Sequence, residues 1–170
     1  MAIRMRRFGV LAVTVVAGSV AFVAEARPQV GAVTRMSQSS AGSPGLLGSV
    51  ESAISGDGRL VAFMSSADNL VRDDFNHAGD IFVHHRGTGA TERVSVASGG
   101  GEANGWSYFP ALSADGRMVA FFSEASNLVP GDTNGFYDIF VHDRLTGETQ
   151  RASIGTHGQP AELPSVGCQI

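Results

Sequence analysis

This sequence has no lysine and only one cysteine, Cys168, among its 170 residues. A single cysteine excludes a disulfide within the chain and any zinc site of the CxxC type. The 12 basic side chains are all arginines and face 16 acidic ones, so the formal charge is -4 and the chain lacks the basic balance of a nucleic-acid-binding protein. Charged residues make up only 16% of the chain and glycines number 22, which is typical of a turn-rich globular protein.

Long apolar runs are also scarce, and the one that is present lies near the N-terminus. Three arginines precede Phe8–Val23, and Ala24-Glu25-Ala26 follows it with the small-x-small pattern that signal peptidase cleaves. The run is about 16 residues long, short of the roughly 20 that span a bilayer. We therefore expect a cleaved signal peptide over residues 1–26, with an uncleaved anchor as the alternative. The protein is predicted to be exported to the periplasm or the cell exterior, with no stable membrane span after cleavage.

The chain repeats itself at an offset of 58 residues. Residues 55–100 align with residues 113–158 without a gap, and 26 of the 46 aligned positions are identical, which chance does not produce. The 58-residue spacing continues beyond these segments, since Arg35-Met36-Ser37 matches Arg93-Val94-Ser95. Pro164-Ser165-Val166 is a candidate start of a third unit. The predicted organisation is a signal peptide (1–26), the end of a preceding partial repeat with a linker (27–48), a first blade repeat (49–97), a second blade repeat (107–155) and a ragged start of a further repeat (156–170).

Each repeat is predicted to form four antiparallel strands. Apolar runs such as Leu60–Met64 and Ile81–Val83 do not alternate with polar residues, which indicates strands buried on both faces. Asp57-Gly58 and Thr88-Gly89 are hairpin signals, and Thr91–Val96 alternates as an outer strand would. With a further strand ending at Ser55 or Ser113 in each repeat, and no sustained helical period in residues 27–170, the predicted fold class is all-β.

A four-stranded meander repeated at this spacing is typical of a β-propeller blade. The pattern S-x-D-G-R-x-V-A-F-x-S, then N-L-V, then D-I-F-V-H-x-R-x-T-G resembles the TolB-like, WD40-like (PD40) β-propeller repeats of secreted bacterial proteins. The residues that carry the resemblance are Ser55, Asp57, Gly58, Arg59, Val61, Ala62, Phe63, Asn69, Leu70, Val71, Asp80 to His84, Arg86, Thr88 and Gly89, repeated in register from Ser113 to Gly147. The resemblance implies propeller blades, and it implies an activity only weakly.

Two full repeats are fewer than a closed propeller needs, since propellers have about four to eight blades. The expected ring is therefore incomplete. The chain is part of a longer propeller, or it closes a ring as a homo-oligomer, or it stands as an open stack of blades. These three alternatives stay open from the sequence.

Acidic and amide side chains recur between the second and third strands of each repeat. The six candidate calcium ligands are Asp74, Asn76 and Asp80 in the first repeat and Asp132, Asn134 and Asp138 in the second. Calcium takes six to eight oxygen ligands, but the later positions of an EF-hand loop are not matched here. The alternative is that the same side chains cap a tight turn. No other cofactor is predicted.

Other recurring polar residues are predicted to be structural. His84 and His142 are expected to hydrogen-bond at a strand end, because adjacent strand residues such as His84 and His85 point to opposite faces and cannot easily share a metal ion. The arginines that follow the Asp-Gly turns and those that end the third strands are expected to pair with Asp80 and Asp138 between blades, with ligand binding as the alternative. Those arginines are Arg59, Arg86, Arg117 and Arg144.

No catalytic residue is predicted. The sequence has no G-x-S-x-G motif, and its serines occupy repeat-equivalent or loop positions. Trp106, Tyr108 and Phe109 lie outside the aligned segments and are expected to fill the seam between two blades, with a carbohydrate or peptide groove as the alternative. The predicted function is a non-enzymatic, exported module that binds a protein or small ligand. The alternatives are the propeller portion of an exported hydrolase or peptidase and a calcium-stabilised surface repeat protein.

Overall fold

The computed structural model describes residues 33–154 and, as backbone, two short strands near the N-terminus. Those strands are β1 (Thr14–Val16) and β2 (Ser19–Ala21), which pair antiparallel within a unit spanning residues 1–34. Most of the predicted signal peptide (1–26) and all of the predicted further repeat (156–170) lie outside the described residues. Both remain predictions.

The second unit, residues 35–170, contains the first blade, a four-stranded antiparallel sheet in which neighbouring strands are consecutive in sequence. Its strands are β3 (Ser49–Ile54), β4 (Leu60–Ser65), β5 (Asp80–His85) and β6 (Thr91–Arg93). The β3–β4 hairpin turns at Asp57-Gly58, where Gly58 adopts a φ of 70°. That backbone conformation favours glycine, as the sequence predicts.

The second blade repeats this arrangement in the same order. Its strands are β7 (Ser107–Leu112), β8 (Met118–Ser123), β9 (Asp138–Asp143) and β10 (Glu148–Arg151). The predicted all-β fold of four-stranded meanders is thus confirmed, and every regular element in residues 33–154 is a strand. No helix in the described part of the chain is long and apolar enough to cross a membrane.

The outer strands are shorter than the alternating pattern predicts. β6 ends at Arg93, whereas the predicted strand continues to Val96. The cause is a side chain: the Ile81 amide donates to the Ser95 hydroxyl at 3.0 Å, which takes the place of a backbone partner. Ser153 accepts from the Ile139 amide at the same distance, so β10 ends in the same way.

The main apolar core lies between the two blades. Alternate residues of a strand point to opposite faces, and on β4 Ala62 and Met64 join a buried cluster with Phe121 of the second blade. The opposite face of β4 carries Phe63, which stacks on Phe82 with ring centroids 5.9 Å apart. β4 is therefore buried on both faces, which explains why its sequence does not alternate.

The segment before β3 reproduces the geometry of the connection between the blades. Gln38 bridges Pro44, and 58 residues later Val96 bridges Glu102. Thr91 donates its hydroxyl to the Gln38 carbonyl, and the repeat-equivalent bonds join Thr149 to Val96. Residues 36–45 thus pack on the first blade as residues 94–103 pack on the second.

Candidate functional site

The polar residues singled out in the sequence come together at the start of the third strand of each blade. In the first blade, Asp80 opens β5 and its side chain is fully buried. The Ser95 hydroxyl donates to Asp80 Oδ1 at 2.5 Å, and Asn76 Nδ2 donates to Asp80 Oδ2 at 2.9 Å. Both carboxylate oxygens therefore already have partners from the chain.

An arginine lies among these carboxylates. Arg93, the last residue of β6, has a side chain that is 7% exposed. Its Nη1 atom is 2.5 Å from Glu102, 3.4 Å from Asp74 and 3.5 Å from Asp80. Its Nη2 atom donates to the Asp73 carbonyl, and its buried Nε atom has no hydrogen-bond partner among the described residues. We call Asp74, Asp80, Arg93 and Glu102 the first acidic cluster.

The second blade contains the matching set, which we call the second acidic cluster. Arg151 Nη1 is 3.0 Å from Asp132 and 3.5 Å from Asp138. Asn134 donates to Asp138 at 2.8 Å, and Ser153 donates to its other oxygen at 2.5 Å. The two clusters differ at one position: Glu102 of the first cluster corresponds to Pro160, which has no carboxylate. Among the described residues, two carboxylates lie beside the arginine of the second cluster, and three lie beside that of the first.

Burial dominates the electrostatics of both clusters. It raises the pKa of Asp74 to about 6, and the neighbouring charge of Asp80 adds to the shift while Arg93 opposes it. Burial likewise raises the pKa of Asp80 and of Asp132. For these three aspartates the loss of hydration outweighs the attraction of the nearby arginine, as expected for charges held away from solvent.

The structure brings the six predicted calcium ligands together in two groups of three. Ligand atoms of Asp74, Asp80 and Glu102 lie within 4.8 Å of one another. The amide oxygen of Asn76, however, accepts from the Ala78 backbone at 2.8 Å, and only its nitrogen faces Asp80. A calcium ion at this place would have to displace the Arg93 guanidinium, which already supplies positive charge there. Calcium binding by these residues stays a prediction.

The predicted arginine partners of Asp80 and Asp138 are wrong. Arg59 pairs with Asp57, and Arg86 donates to the Gly58 carbonyl of its own blade. Arg117 pairs with Asp143, and Arg144 pairs with Glu92 of the preceding blade. Chain direction explains the difference: Arg86 and Arg144 follow the ends of β5 and β9, whereas Asp80 and Asp138 begin those strands.

The true partners, Arg93 and Arg151, were missed by the sequence reasoning. A signal for them was present, because Thr-x-Arg recurs at Thr91–Arg93 and Thr149–Arg151. Antiparallel pairing of β6 with β5 carries Arg93 back to the start of β5, where Asp80 lies. The arginine and the aspartate therefore meet within one blade.

Both repeated histidines hydrogen-bond within their blades, as predicted. The Nδ1 atoms of His84 and His142 lie 2.8 Å from the hydroxyls of Thr91 and Thr149, respectively. Burial lowers the pKa of both imidazoles and favours their neutral form. The Asp57 and Asp115 carboxylates accept from the amides of Arg59 and Arg117, so these two residues have the predicted turn role.

Five aromatic side chains form a connected row on the second blade. Trp106 stacks on Tyr108 at 5.9 Å, and Phe122 stacks on Tyr137 at 5.3 Å between ring centroids. Tyr108 joins the two pairs through Tyr137 at 6.3 Å, and Phe109 contacts Phe122 at 6.2 Å. Trp106 also faces Gly79 of the first blade, as the seam interpretation predicts. Phe109 remains 53% exposed.

Some solved protein structures are similar to this chain. No known protein family matches the chain, and no curated protein does. TolB from Acinetobacter baumannii is 20% identical with a TM-score of 0.40, over 62% of this chain and 21% of that one. A protein assigned as TolB from Agrobacterium tumefaciens is 20% identical with a TM-score of 0.38, over 59% of this chain and 31% of that one.

The chain spans about a fifth to a third of the length of these solved TolB structures. The fold itself rests on the chain's own two sheets, each with four strands in consecutive antiparallel order. Residues 35–154 have the fold of two successive β-propeller blades.

Proposed function

We propose that this chain supplies two blades of an exported, non-enzymatic β-propeller that binds a protein or another ligand. The observation that carries the proposal is how the repeated polar side chains are used. Asp80, Arg93, His84 and Ser95 all bond within the first blade, and their equivalents bond in the same way in the second. Groups that make the same bonds in both blades stabilise the fold. We therefore expect binding to involve positions at which the two repeats differ.

The positions that differ include several in the first strand of each meander. In a propeller the blades surround a central channel, and the first strand of each meander is here β3 or β7. Val50 and Ile54 on β3 and Phe109 on β7 are exposed apolar side chains, and Glu51 places a carboxylate beside Phe109. An apolar surface of this kind suits a protein or peptide with exposed apolar residues.

Export is the second part of the proposal. It rests on the arginine-rich start, the apolar run and the Ala24-Glu25-Ala26 sequence. Mass spectrometry of the exported protein should show a chain that begins at Arg27. Recovery of the intact chain in the membrane fraction would contradict export by signal cleavage.

A photo-crosslinking experiment tests the binding role. A photoreactive amino acid replaces Phe109 in the full chain, and its control replaces Leu145, an exposed residue in the β9–β10 hairpin. We expect a discrete adduct from position 109 that is absent from position 145. Equal labelling at both positions, or none at position 109, would count against an inner-strand binding surface.

Ring closure is tested separately by light scattering after size-exclusion chromatography. Two blades per chain require about two to four copies for the four to eight blades of known propellers. A discrete oligomer in that range would support closure by self-assembly. A monodisperse single chain or a broad distribution of aggregates would instead favour a longer propeller that contains these blades.

A further inference from the structure

Each blade carries a surface pocket between the loop after its second strand and the segment before its first strand. The pocket of the first blade, which we call the first pocket, has a volume of about 410 Å³ and is lined by residues 39–41, residues 69–72 and Thr91. The second pocket has a volume of about 470 Å³ and is lined by residues 97–99 and 126–131. Small-molecule sites span roughly 300–1,000 Å³. Most of the lining positions are 58 residues apart, so the repeated fold forms the same kind of pocket twice.

Two polar side chains hold the walls of each pocket in the same way. In the first pocket, the Ser40 hydroxyl donates to the Thr91 carbonyl at 3.2 Å and accepts from the Thr91 amide at 2.9 Å. Asn69 bonds through both its oxygen and its nitrogen to the backbone of the segment before β3, each at 2.9 Å. Ser98 and Asn127 make the equivalent bonds in the second pocket. These four side chains fix the walls, so any difference in binding between the pockets has to come from other lining residues.

Two lining residues of the first pocket offer hydrogen-bond donors that no described residue takes up. Arg72 is exposed, and its guanidinium makes no hydrogen bond or ion pair within the described part of the chain. The Ser39 hydroxyl accepts from the Ser43 amide at 3.2 Å, and no acceptor among residues 33–154 binds its proton. The matching positions in the second pocket are Pro130 and Ala97, whose side chains have no donor. The two pockets therefore differ in the groups that could hold an anion.

Acidic residues flank Arg72 without pairing with it. Asp68 and Asp73 are exposed, and neither lines the first pocket. Because water and salt screen exposed charges, these carboxylates reduce the attraction for an anion only modestly. A guanidinium binds an oxyanion by direct charge-assisted hydrogen bonds, often two in parallel. The first pocket thus suits a small polar molecule that brings an oxyanion into contact with Arg72.

We propose that the first pocket binds a small ligand through a carboxylate or phosphate group, which accepts hydrogen bonds from Arg72 and Ser39. Val71, which also lines the pocket, supplies apolar surface for the rest of the ligand. This site is separate from the inner-strand surface proposed above, since none of its lining residues lies on β3 or β7. The inference does not rest on that proposed function.

Amide chemical shifts of the isotope-labelled full chain test the site. The probes are glucuronate, which carries a carboxylate, and glucose 6-phosphate, with glucose as the uncharged control. We expect at least one anion to shift the amides of Ser39, Ser40 and Arg72 saturably, and the anion with the lower Kd identifies the preferred group. No response to either anion would overturn the proposal. Equal shifts from glucose, or equal shifts at Ala97 and Ser98 of the second pocket, would also overturn it.

Variants then test the two donors. Arg72→Gln should raise the Kd about tenfold or more, because it removes a hydrogen bond from a charged donor. Arg59→Gln is the matched control, since Arg59 is an exposed arginine that does not line the pocket. Equal Kd values for these two variants would overturn the role of Arg72. In a separate variant, Ala97→Ser with Pro130→Arg should give the second pocket the donors of the first and produce new shifts at Ser98. A second pocket that still does not respond would contradict the assignment of these donors.

Discussion

Glu51 and Phe109 occupy the same position in the two repeats, and they hydrogen-bond to each other across the blade seam. The Phe109 amide donates to Glu51 Oε2 at 2.6 Å, and both residues adopt a left-handed φ of 51°. Each lies at a break in the pairing of its inner strand, between Val50 and Ser52 or between Tyr108 and Ala111. The bulge frees the Phe109 amide from the ladder, and Glu51 satisfies it.

Glu51→Ala should weaken the seam. The substitution removes a charged acceptor and leaves the Phe109 amide to water, so we expect a loss of about 1 kcal/mol in the free energy of unfolding. Urea denaturation measures it, with Glu148→Ala on the exposed edge strand β10 as the control. Equal stability of the two variants would show that the bond contributes nothing.

Arg93→Gln should be strongly destabilising. It leaves Asp74, Asp80 and Glu102 with no cation in a buried place, and removing one partner of a buried ion pair costs about 3–5 kcal/mol. Arg151→Gln should cost less, since it leaves two carboxylates. Arg59→Gln is the control because its side chain is 75% exposed. Denaturant midpoints that rank Arg59→Gln with the other two would contradict a structural role for the clusters.

Calcium titration tests whether a calcium ion can bind where the Arg93 guanidinium lies in the first acidic cluster. Because the Arg93 guanidinium already occupies the position among the three carboxylates of the first cluster, we expect no calorimetric heat and no change in Tm at millimolar calcium for the natural chain. In Arg93→Gln the three carboxylates are free to bind calcium, and we expect its Tm to rise. Heat and a higher Tm in the natural chain would instead support the calcium hypothesis.

Acidification tests the raised pKa of Asp74. Between its ordinary value of 3.8 and about 6, the folded chain holds a proton that the unfolded chain has released. This group therefore adds stability as the pH falls from about 6 to about 4. His84 and His142 act in the opposite direction, because burial lowers their pKa.

The measurement is consequently a difference between Asp74→Asn and the natural chain. The variant should gain less, or lose more, unfolding free energy on acidification over this window. Glu148→Gln serves as the control at an exposed position. Parallel pH profiles for Asp74→Asn and the natural chain would show that burial does not raise this pKa.

Gly79→Ala should disturb the seam between the blades. The added methyl group would meet the ends of Met64 and Trp106, and overpacking of this kind typically costs about 1–3 kcal/mol. Gly48→Ala is the matched control, since a Cβ there meets nothing within 4 Å. Thermal unfolding compares them, and an equal Tm would mean that Trp106 can move aside.

The strand pattern could be predicted because it is local. Runs such as Leu60–Met64 and turns such as Asp57-Gly58 carry their own signals of apolar continuity and backbone conformation. The roles of Asp57, His84 and their equivalents followed from the same local reasoning. The partners of Asp80 did not, because they depend on which strand returns to the start of β5.

The sequence by itself determined the repeat, its spacing, its strand content and the residues that recur. Those properties follow from neighbours along the chain. Only the tertiary structure decided that Arg93 and Arg151 lie among the acidic residues, that Glu51 reaches Phe109 and that Gly79 receives Trp106. These contacts join residues that are distant in sequence and that antiparallel strand pairing and blade packing bring together. No single segment of the sequence determines the geometry of that pairing and packing.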